Sequence, residues 1–254
     1  MNHWELYLLF FVIAAFYSSV GFGGGSSYLA ILALFGVDFL LLRSSALLCN
    51  ITVVAGGTCI FYKRGHLKWK KAIPLVLVSV PMAFLGGWLP VREAVFFIIL
   101  GTTLLLASLL MWFQRPILNE EGAKDVKVKS HFYNMGIGGG IGFLAGIVGI
   151  GGGIFLAPVL HLSRWDSSKK IAATASLFIL ANSIAGLAGQ MAKPEFHLDW
   201  RFVLPLMVAV LLGGQIGSRL GAIRLNQLVV KKATAALIFF VGFRILLKYV
   251  SFFL

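Results

Sequence analysis

Long, charge-poor stretches follow one another along the whole chain. They cover residues 4–36, 44–62, 72–91, 94–114, 132–163, 171–192, 202–218 and 233–243. A helix of about 20 apolar residues spans the hydrocarbon core of a bilayer. Most of these stretches therefore qualify as membrane helices. The pattern predicts an all-α, polytopic membrane protein located in the cell (inner or plasma) membrane.

Two of these stretches are longer than the rest, and glycines interrupt both at the centre. Residues 4–36 contain the cluster Gly21–Gly25, and residues 132–163 contain the cluster Gly149–Gly153. As one helix, such a stretch would be about 50 Å long, which is too long for one crossing and too short for two. Glycines also interrupt a helix and leave backbone N–H and C=O groups unpaired. Inside a bilayer, such groups occur only where they are buried in protein or line a cavity. We predict a broken, re-entrant helix in each stretch and a transport site beside it.

The two glycine clusters belong to two copies of one unit. Further matches between the copies occur at offsets of 128 to 132 residues: Asp38 with Asp166, Trp69 with Trp200, Pro74 with Pro205, Gly86 with Gly217, and Asn50 with Asn182. The charge-mixed segment at 115–131 is the only connection long enough to join two halves. We predict an N-terminal repeat at 1–114, a cytoplasmic linker at 115–131 and a C-terminal repeat at 132–254.

The basic residues indicate how the two repeats are oriented. If each broken helix is re-entrant, each half has three true crossings, and an odd number inverts the second half relative to the first. This arrangement places 16 of the 22 Lys and Arg residues inside, whereas eight full crossings would split them 13 to 9. The positive-inside rule favours inverted repeats, each with one broken helix and three transmembrane helices. The net charge of +13 then sets topology, so we expect a lipid bilayer and no nucleic acid as partner.

Three segments carry a family resemblance over essentially the whole chain. They are Gly149–Gly153 with Pro158, the run Ala172–Ser176, and Gly213–Leu220 with its Gly-x-x-x-Gly-x-Arg-Leu pattern. The chain resembles the TauE/SafE sulfite exporter family of membrane transporters, which implies a small sulfur-containing anion, such as sulfite or a sulfonate, as substrate. The first half departs from the pattern, because Ala30 replaces the proline and Arg43–Ala46 replaces the Ala-Thr-Ala-Ser run.

The residues themselves also indicate an anion site. A short helix begins after each glycine cluster, and the free N–H groups of its first turn, together with the helix dipole, favour an oxyanion. The candidate substrate-binding residues are Gly23, Gly24, Gly25, Ser26, Ser27, Asn50, Gly151, Gly152, Gly153, Ile154, Thr174, Ser176 and Asn182. The glycines have close helix packing as their alternative role. The alternative role of Asn50 and Asn182 is to hydrogen-bond the backbone of the broken helices. The alternative role of Thr174 and Ser176 is to hydrogen-bond a backbone carbonyl one turn earlier in their own helix.

Other chemistry has little support in the sequence. No Asp or Glu lies in a predicted span, and no Walker motif is present, so we expect neither a carboxylate proton relay nor ATP use. We predict a transporter rather than an enzyme, with no metal or cofactor, that exports its anion by alternating access. An anion channel and an intramembrane thiol or sulfur-transfer protein using Cys49 are the alternatives. Arg43 is either an interface anchor or a vestibule residue, and homo-oligomerisation stays open.

Overall fold

The computed structural model describes residues 4–19, 22–113, 131–163, 165–221 and 227–250. The predicted linker at 115–131, except for residue 131, and Gly21 lie outside these ranges. The described residues form ten α-helices and no strand: α1 (Trp4–Ser19), α2 (Gly25–Leu34), α3 (Phe39–Lys63), α4 (Trp69–Trp88), α5 (Glu93–Phe113), α6 (His131–Val148), α7 (Gly153–Leu162), α8 (Ser168–Met191), α9 (Trp200–Gly221) and α10 (Gln227–Val250). The predicted all-α class is confirmed.

Five of these helices, α3, α4, α5, α8 and α9, are long and apolar enough to cross a membrane. The sixth predicted crossing, α10, has 24 residues but carries basic side chains near both ends, including Lys232 and Lys248. The helices next to the glycine clusters are shorter, with 16 and 10 residues in α1 and α2 and 18 and 10 in α6 and α7. A multi-pass helical membrane protein is confirmed.

The bundle is apolar outside and contains polar groups inside. Large side chains such as Phe132 and Leu77 are 83% and 67% exposed, whereas Ser45, Asn50 and Ser79 are completely buried. In water such a surface would be unfavourable, but lipid chains solvate it well. Polar side chains in a membrane face the protein interior because hydrocarbon offers them no hydrogen bonds.

Glycines bring α4 and α6 into backbone contact. A Cβ atom on any of three α6 glycines would overlap an α4 carbonyl oxygen: Gly138 that of Leu75, Gly142 that of Ser79, and Gly146 that of Ala83. This is the small-xxx-small packing by which membrane helices approach closely. Residue numbers increase together along both helices, so α4 and α6 run parallel.

The same contact recurs between α1 and α9. Gly213 and Gly217 of α9 lie against the carbonyl oxygens of Phe11 and Ala15 of α1, again in parallel. In the sequence repeat, α1 corresponds to α6 and α9 to α4. The first helix of each half therefore packs on the fourth helix of the other half, in two equivalent contacts.

Equivalent helices of the two halves that contact each other are antiparallel. At the centre, Asn50 and Thr58 of α3 bond Ser183 and Ser176 of α8, at 3.0 and 2.8 Å respectively. At the side, Phe97 of α5 stacks on Tyr249 of α10, near the start of one helix and the end of the other. Helices α3 and α5 thus run antiparallel to their counterparts α8 and α10.

The bundle has two ends, which we name after their lysines. At the Lys71 end, Lys71 at the start of α4 binds Asp166 at the start of α8, with 2.7 Å between Nζ and Oδ2. At the Lys193 end, Lys193 after α8 donates to the carbonyl of Leu89 after α4 at 2.7 Å.

Residues 22–24 and 149–152 lie at the turns of two helical hairpins. Helix α6 runs parallel to α4 from the Lys71 end, the chain turns at 149–152, and α7 returns to the Lys71 end, where Asp166 follows it. Helix α1 runs parallel to α9 from the Lys193 end, and α2 returns to that end, where Asp38 caps α3. The two hairpins therefore reach the middle of the bundle from opposite ends.

Candidate anion site at the two helix breaks

Glycines in the left-handed region start both return helices. Gly24, at φ +84°, is the N-cap of α2, and Gly152, at φ +81°, is the N-cap of α7. Only glycine adopts this conformation without strain. Because both N-cap residues are glycines, no capping side chain accepts a hydrogen bond from the first turn. The N–H groups at the start of each helix, which lack an acceptor one turn earlier, are therefore available to a ligand.

The hairpin turns close with equivalent backbone bonds in both halves. Phe22 N–H donates to the carbonyl of Tyr17 at 2.9 Å, and Ile150 N–H donates to that of Ala145 at 3.3 Å. These bonds end α1 and α6 just before the glycines. The broken helix predicted from the two glycine clusters is present in both halves.

The first turns of α2 and α7 meet at one cavity in the middle of the bundle. Its lining consists of Tyr17, Phe22, Gly23, Gly24, Gly25, Ser26, Asn50, Met111, Ile150, Gly153, Ile154, Ile179 and Thr234. The open space has room for about one water molecule. The structure thus holds the two helix N-termini close together around a site that is narrower than an oxyanion.

Asn50 lies between the two breaks and is completely buried. Its Nδ2 donates to the carbonyl of Ile150 at 3.3 Å and to Ser183 Oγ at 3.0 Å. A Cβ atom on Gly23 would overlap Asn50 Oδ1, and one on Gly151 would lie 2.6 Å from Nδ2. Of the two roles open to Asn50, the bond to the broken backbone is present, and the side chain also lines the cavity.

The sequence match of Asn50 with Asn182 does not correspond to equivalent positions. The two breaks face their own half in the same way: Gly23 and Gly25 lie against Asn50 and Val54, and Gly151 and Gly153 against Ile179 and Ser183. The counterpart of Asn50 is therefore Ile179. Helices α3 and α8 start 129 residues apart, and the extra residues of the second copy lie in the connection after α8. The offset of 132 thus places Asn182 about one turn too late.

Three predicted site residues on α8 lie outside the cavity lining. Asn182 and Thr174 are buried elsewhere in the helix packing, and Ser176 bonds Thr58 at 2.8 Å. Gly152 does not line the cavity either, since it packs against Phe178. The structure brings together the remaining candidates from both breaks, Gly23, Gly24, Gly25, Ser26, Asn50, Gly153 and Ile154 at the cavity, with Ser27 and Gly151 directly behind.

Two polar side chains of the site were missed by sequence reasoning. Tyr17 lines the cavity and bonds Ser27 Oγ at 2.7 Å, and Thr234 reaches it from α10. A tyrosine one turn before a glycine cluster was a usable signal, whereas nothing near Thr234 indicated this contact. The polar side chains come mainly from the first half, because the matching second-half positions of Tyr17, Ser26 and Asn50 hold Ala145, Ile154 and Ile179.

Arg43 supports the second break from behind. It is 2% exposed, and its Nη2 donates to the carbonyl of Ile147 at 2.7 Å. Its guanidinium lies 5.5 and 5.2 Å from the ring centroids of Phe39 and Phe96. A cation at a helix C-terminus satisfies orphan carbonyls and offsets the negative end of the dipole. Arg43 is thus a buried cap on α6, and both roles predicted for it, interface anchor and vestibule residue, were wrong.

No charged side chain of the described residues lines the cavity, and the Lys71–Asp166 ion pair lies at one end of the bundle. Burial raises the pKa of Asp166, but hydrogen bonds from Lys71, from the Ser167 N–H and from Lys170 outweigh it and hold that pKa below its ordinary value. At the other end, burial and then the positive charge of Arg43 lower the pKa of Lys193 to about 8. Binding at the cavity therefore relies on dipoles and hydrogen bonds.

Comparison with known proteins agrees with this arrangement. The family model described as "Sulfite exporter TauE/SafE" matches residues 6–245. The chain belongs to the TauE/SafE family. One relative is the "Probable membrane transporter protein y4hK" of Sinorhizobium fredii, 33% identical over 95% of this chain and 97% of that protein.

A second relative matches about two thirds of the chain. It is the "Probable membrane transporter protein MJ0441" of Methanocaldococcus jannaschii, 25% identical over 67% of this chain and 64% of that protein. No solved structure shows significant similarity. Family and relatives together identify a membrane transporter, as predicted from the sequence.

Proposed function

We propose that this protein transports a small sulfur-containing oxyanion, such as sulfite or a sulfonate, out of the cell. The observation that carries the proposal is the cavity shared by the first turns of α2 and α7. Each helix N-terminus presents free N–H groups and about half a positive charge, which is the environment that bound oxyanions prefer. The family name supplies the class of anion.

Export needs no coupling ion. An anion leaving a cell with a negative interior gains about 2.3 kcal/mol per charge per 100 mV. The described residues offer no carboxylate at the cavity to relay protons. Export driven by the membrane potential and the substrate gradient is therefore compatible with a cavity that lacks a proton-relaying carboxylate.

Alternating access is supported by the two hairpins that approach from opposite ends. Helices α3 and α8 run antiparallel, as do α5 and α10, which is what inverted repeats require. We propose that one hairpin at a time moves away from the cavity and opens it to its own side. The narrow cavity then corresponds to a closed state between the two open ones.

Site-directed labelling tests the inverted topology. Single cysteines replacing Lys68 and Asp199, in a Cys49→Ala, Cys59→Ser background, should react with an impermeant maleimide from opposite sides of the membrane. The reason is that their connections lie at the Lys71 and Lys193 ends, respectively. Labelling of both positions from the same side would overturn the inverted model.

The proposed function itself is tested by binding and flux. Purified protein should melt at higher temperature with at least one anion of the panel sulfite, thiosulfate, taurine and sulfoacetate but not with chloride, because bound anion stabilises the folded state. Proteoliposomes should then show saturable flux that is stimulated by anion on the opposite side. Flux that never saturates and lacks such stimulation would indicate a channel.

The thiol alternative is tested by Cys49→Ala. Cys49 is fully buried in α3 and does not line the cavity, so we expect most transport to remain, with a packing cost of about 1 kcal/mol. Flux per mole of reconstituted protein measures this. A normally expressed variant without any transport would restore thiol chemistry as an explanation.

A further inference from the structure

The orientation of the Asn50 side-chain amide is determined by its surroundings. The carbonyl oxygen of Ile150 can only accept a hydrogen bond, so the amide nitrogen of Asn50 must face it, at 3.3 Å. The oxygen Oδ1 then points to the other side, against Gly23 of the first break. Within the part of the chain that the structure describes, Oδ1 is buried and has no hydrogen-bond partner.

This oxygen differs from the other polar atoms of the cavity side chains. The hydroxyls of Tyr17, Ser26 and Thr234 can donate or accept, whereas an amide oxygen can only accept. A buried acceptor that stays unpaired loses its hydration without compensation. A fully deprotonated oxyanion has only acceptor oxygens, so it would leave Asn50 Oδ1 unpaired and repel it.

The charge of the site also favours a particular kind of anion. Two helix N-termini together supply about one positive charge. The described lining residues contain no formally charged side chain that would add to it. One negative charge is therefore balanced at the cavity, whereas the second charge of a dianion would be buried without a partner.

We propose that the site selects oxyanions that carry a single negative charge and one hydrogen-bond donor, and that Asn50 Oδ1 accepts the hydrogen bond from this donor. Hydrogen sulfite, in place of the sulfite dianion, fits this description. Sulfonates with a hydroxyl group near the sulfur fit it as well. The proposal rests on the proposed function, because it defines the substrate class of that same cavity.

A matched pair of ligands tests the role of the donor at constant pH. Isethionate and 1-propanesulfonate have equal charge and equal numbers of non-hydrogen atoms, but only isethionate carries a hydroxyl group. We expect wild-type protein in detergent to bind isethionate at least about tenfold more tightly, the effect of one buried hydrogen bond. Competition with hydrogen sulfite in the same assay shows that both ligands occupy the transport site.

Two variants assign the preference to Asn50. In Asn50→Leu, which has similar volume but no acceptor, the ratio of the two affinities should fall to about one. The control is Thr52→Val, on the same helix, which removes a hydroxyl that bonds the carbonyl of Leu48 away from the cavity. It should keep the tenfold ratio. The wild-type ratio is informative even where Asn50→Leu fails to stay monodisperse.

The outcomes separate this inference from the proposed function. Equal affinity of wild-type protein for the two sulfonates would overturn the donor requirement and leave anion transport intact. A preference that persists in Asn50→Leu would overturn the assignment to Asn50. Absence of binding and flux for every sulfur anion would instead overturn the proposed function.

Discussion

Valine at either helix-starting glycine is expected to abolish anion binding. Gly24 and Gly152 have φ values of +84° and +81°, which a β-branched residue adopts only with strain. A Cβ atom would also lie 2.9 Å from Tyr28 at the first position and 2.9 Å from Phe178 at the second. The first turn of α2 or α7 must then shift, and its N–H groups no longer meet at the cavity. Thermal shift with sulfite and flux in proteoliposomes measure the loss.

Two control variants separate this loss from general damage. Gly36→Val places the same side chain at a positive φ of +69° with open space around it, so it reports strain alone. Gly136→Val adds the same bulk to an exposed position of α6. Both should bind the anion normally. Well-folded Gly24→Val or Gly152→Val protein that still binds and transports would show that these glycines serve packing only.

A milder change tests the same site without backbone strain. Gly25 has no positive φ, and a Cβ atom there would lie 3.1 Å from Asn50 Cγ, close to the first free N–H of α2. We expect Gly25→Ala to weaken binding by about 1–3 kcal/mol, the range for impairing one hydrogen bond to a charged group. Gly136→Ala is the matched control and should bind normally. The affinity of Gly25→Ala should lie between that of this control and the complete loss expected for the valine variants.

The parts of the fold that depend on local sequence were predictable. Apolar length identifies membrane helices because hydrocarbon excludes unpaired backbone groups, and consecutive glycines at mid-length identify a break. Both features are visible within one segment, so they can be interpreted without knowledge of tertiary contacts. Of the residues expected at the site, Gly23, Gly24, Gly25, Gly153 and Asn50 line one cavity.

The parts that depend on contacts between halves were not predictable. Asn182 matched Asn50 in the sequence, but the neighbour of a break is decided by helix register, which makes Ile179 the equivalent residue. Arg43 near a helix start suggested an interface, yet its side chain bonds α6, more than 100 residues later. Thr234 reaches the cavity only because α10 packs beside α2. No local sequence pattern indicates such contacts between residues that are far apart in the chain.

Loss of the buried arginine is expected to damage the second break specifically. In Arg43→Leu, the carbonyls of Ile147 and Gly146 lose their donor, at a cost of about 1–3 kcal/mol for each buried group left unpaired. The negative end of α6 also loses its compensating charge close to the anion. We expect a lower melting temperature, by about 2–4 °C for each kcal/mol, and a weaker shift with sulfite.

Charge and geometry are separated by comparing two further variants. Arg201→Leu removes an equal charge from an exposed position at the same end of the bundle, so it reports the long-range field alone. Arg43→Lys keeps the charge but loses the planar group that lies near Phe39 and Phe96, and it should recover affinity only in part. If Arg43→Leu and Arg201→Leu lower anion affinity equally, Arg43 acts through its field. A much larger loss in Arg43→Leu, partly restored by lysine, shows that the hairpin must be held at its carbonyl end for α7 to present its N–H groups.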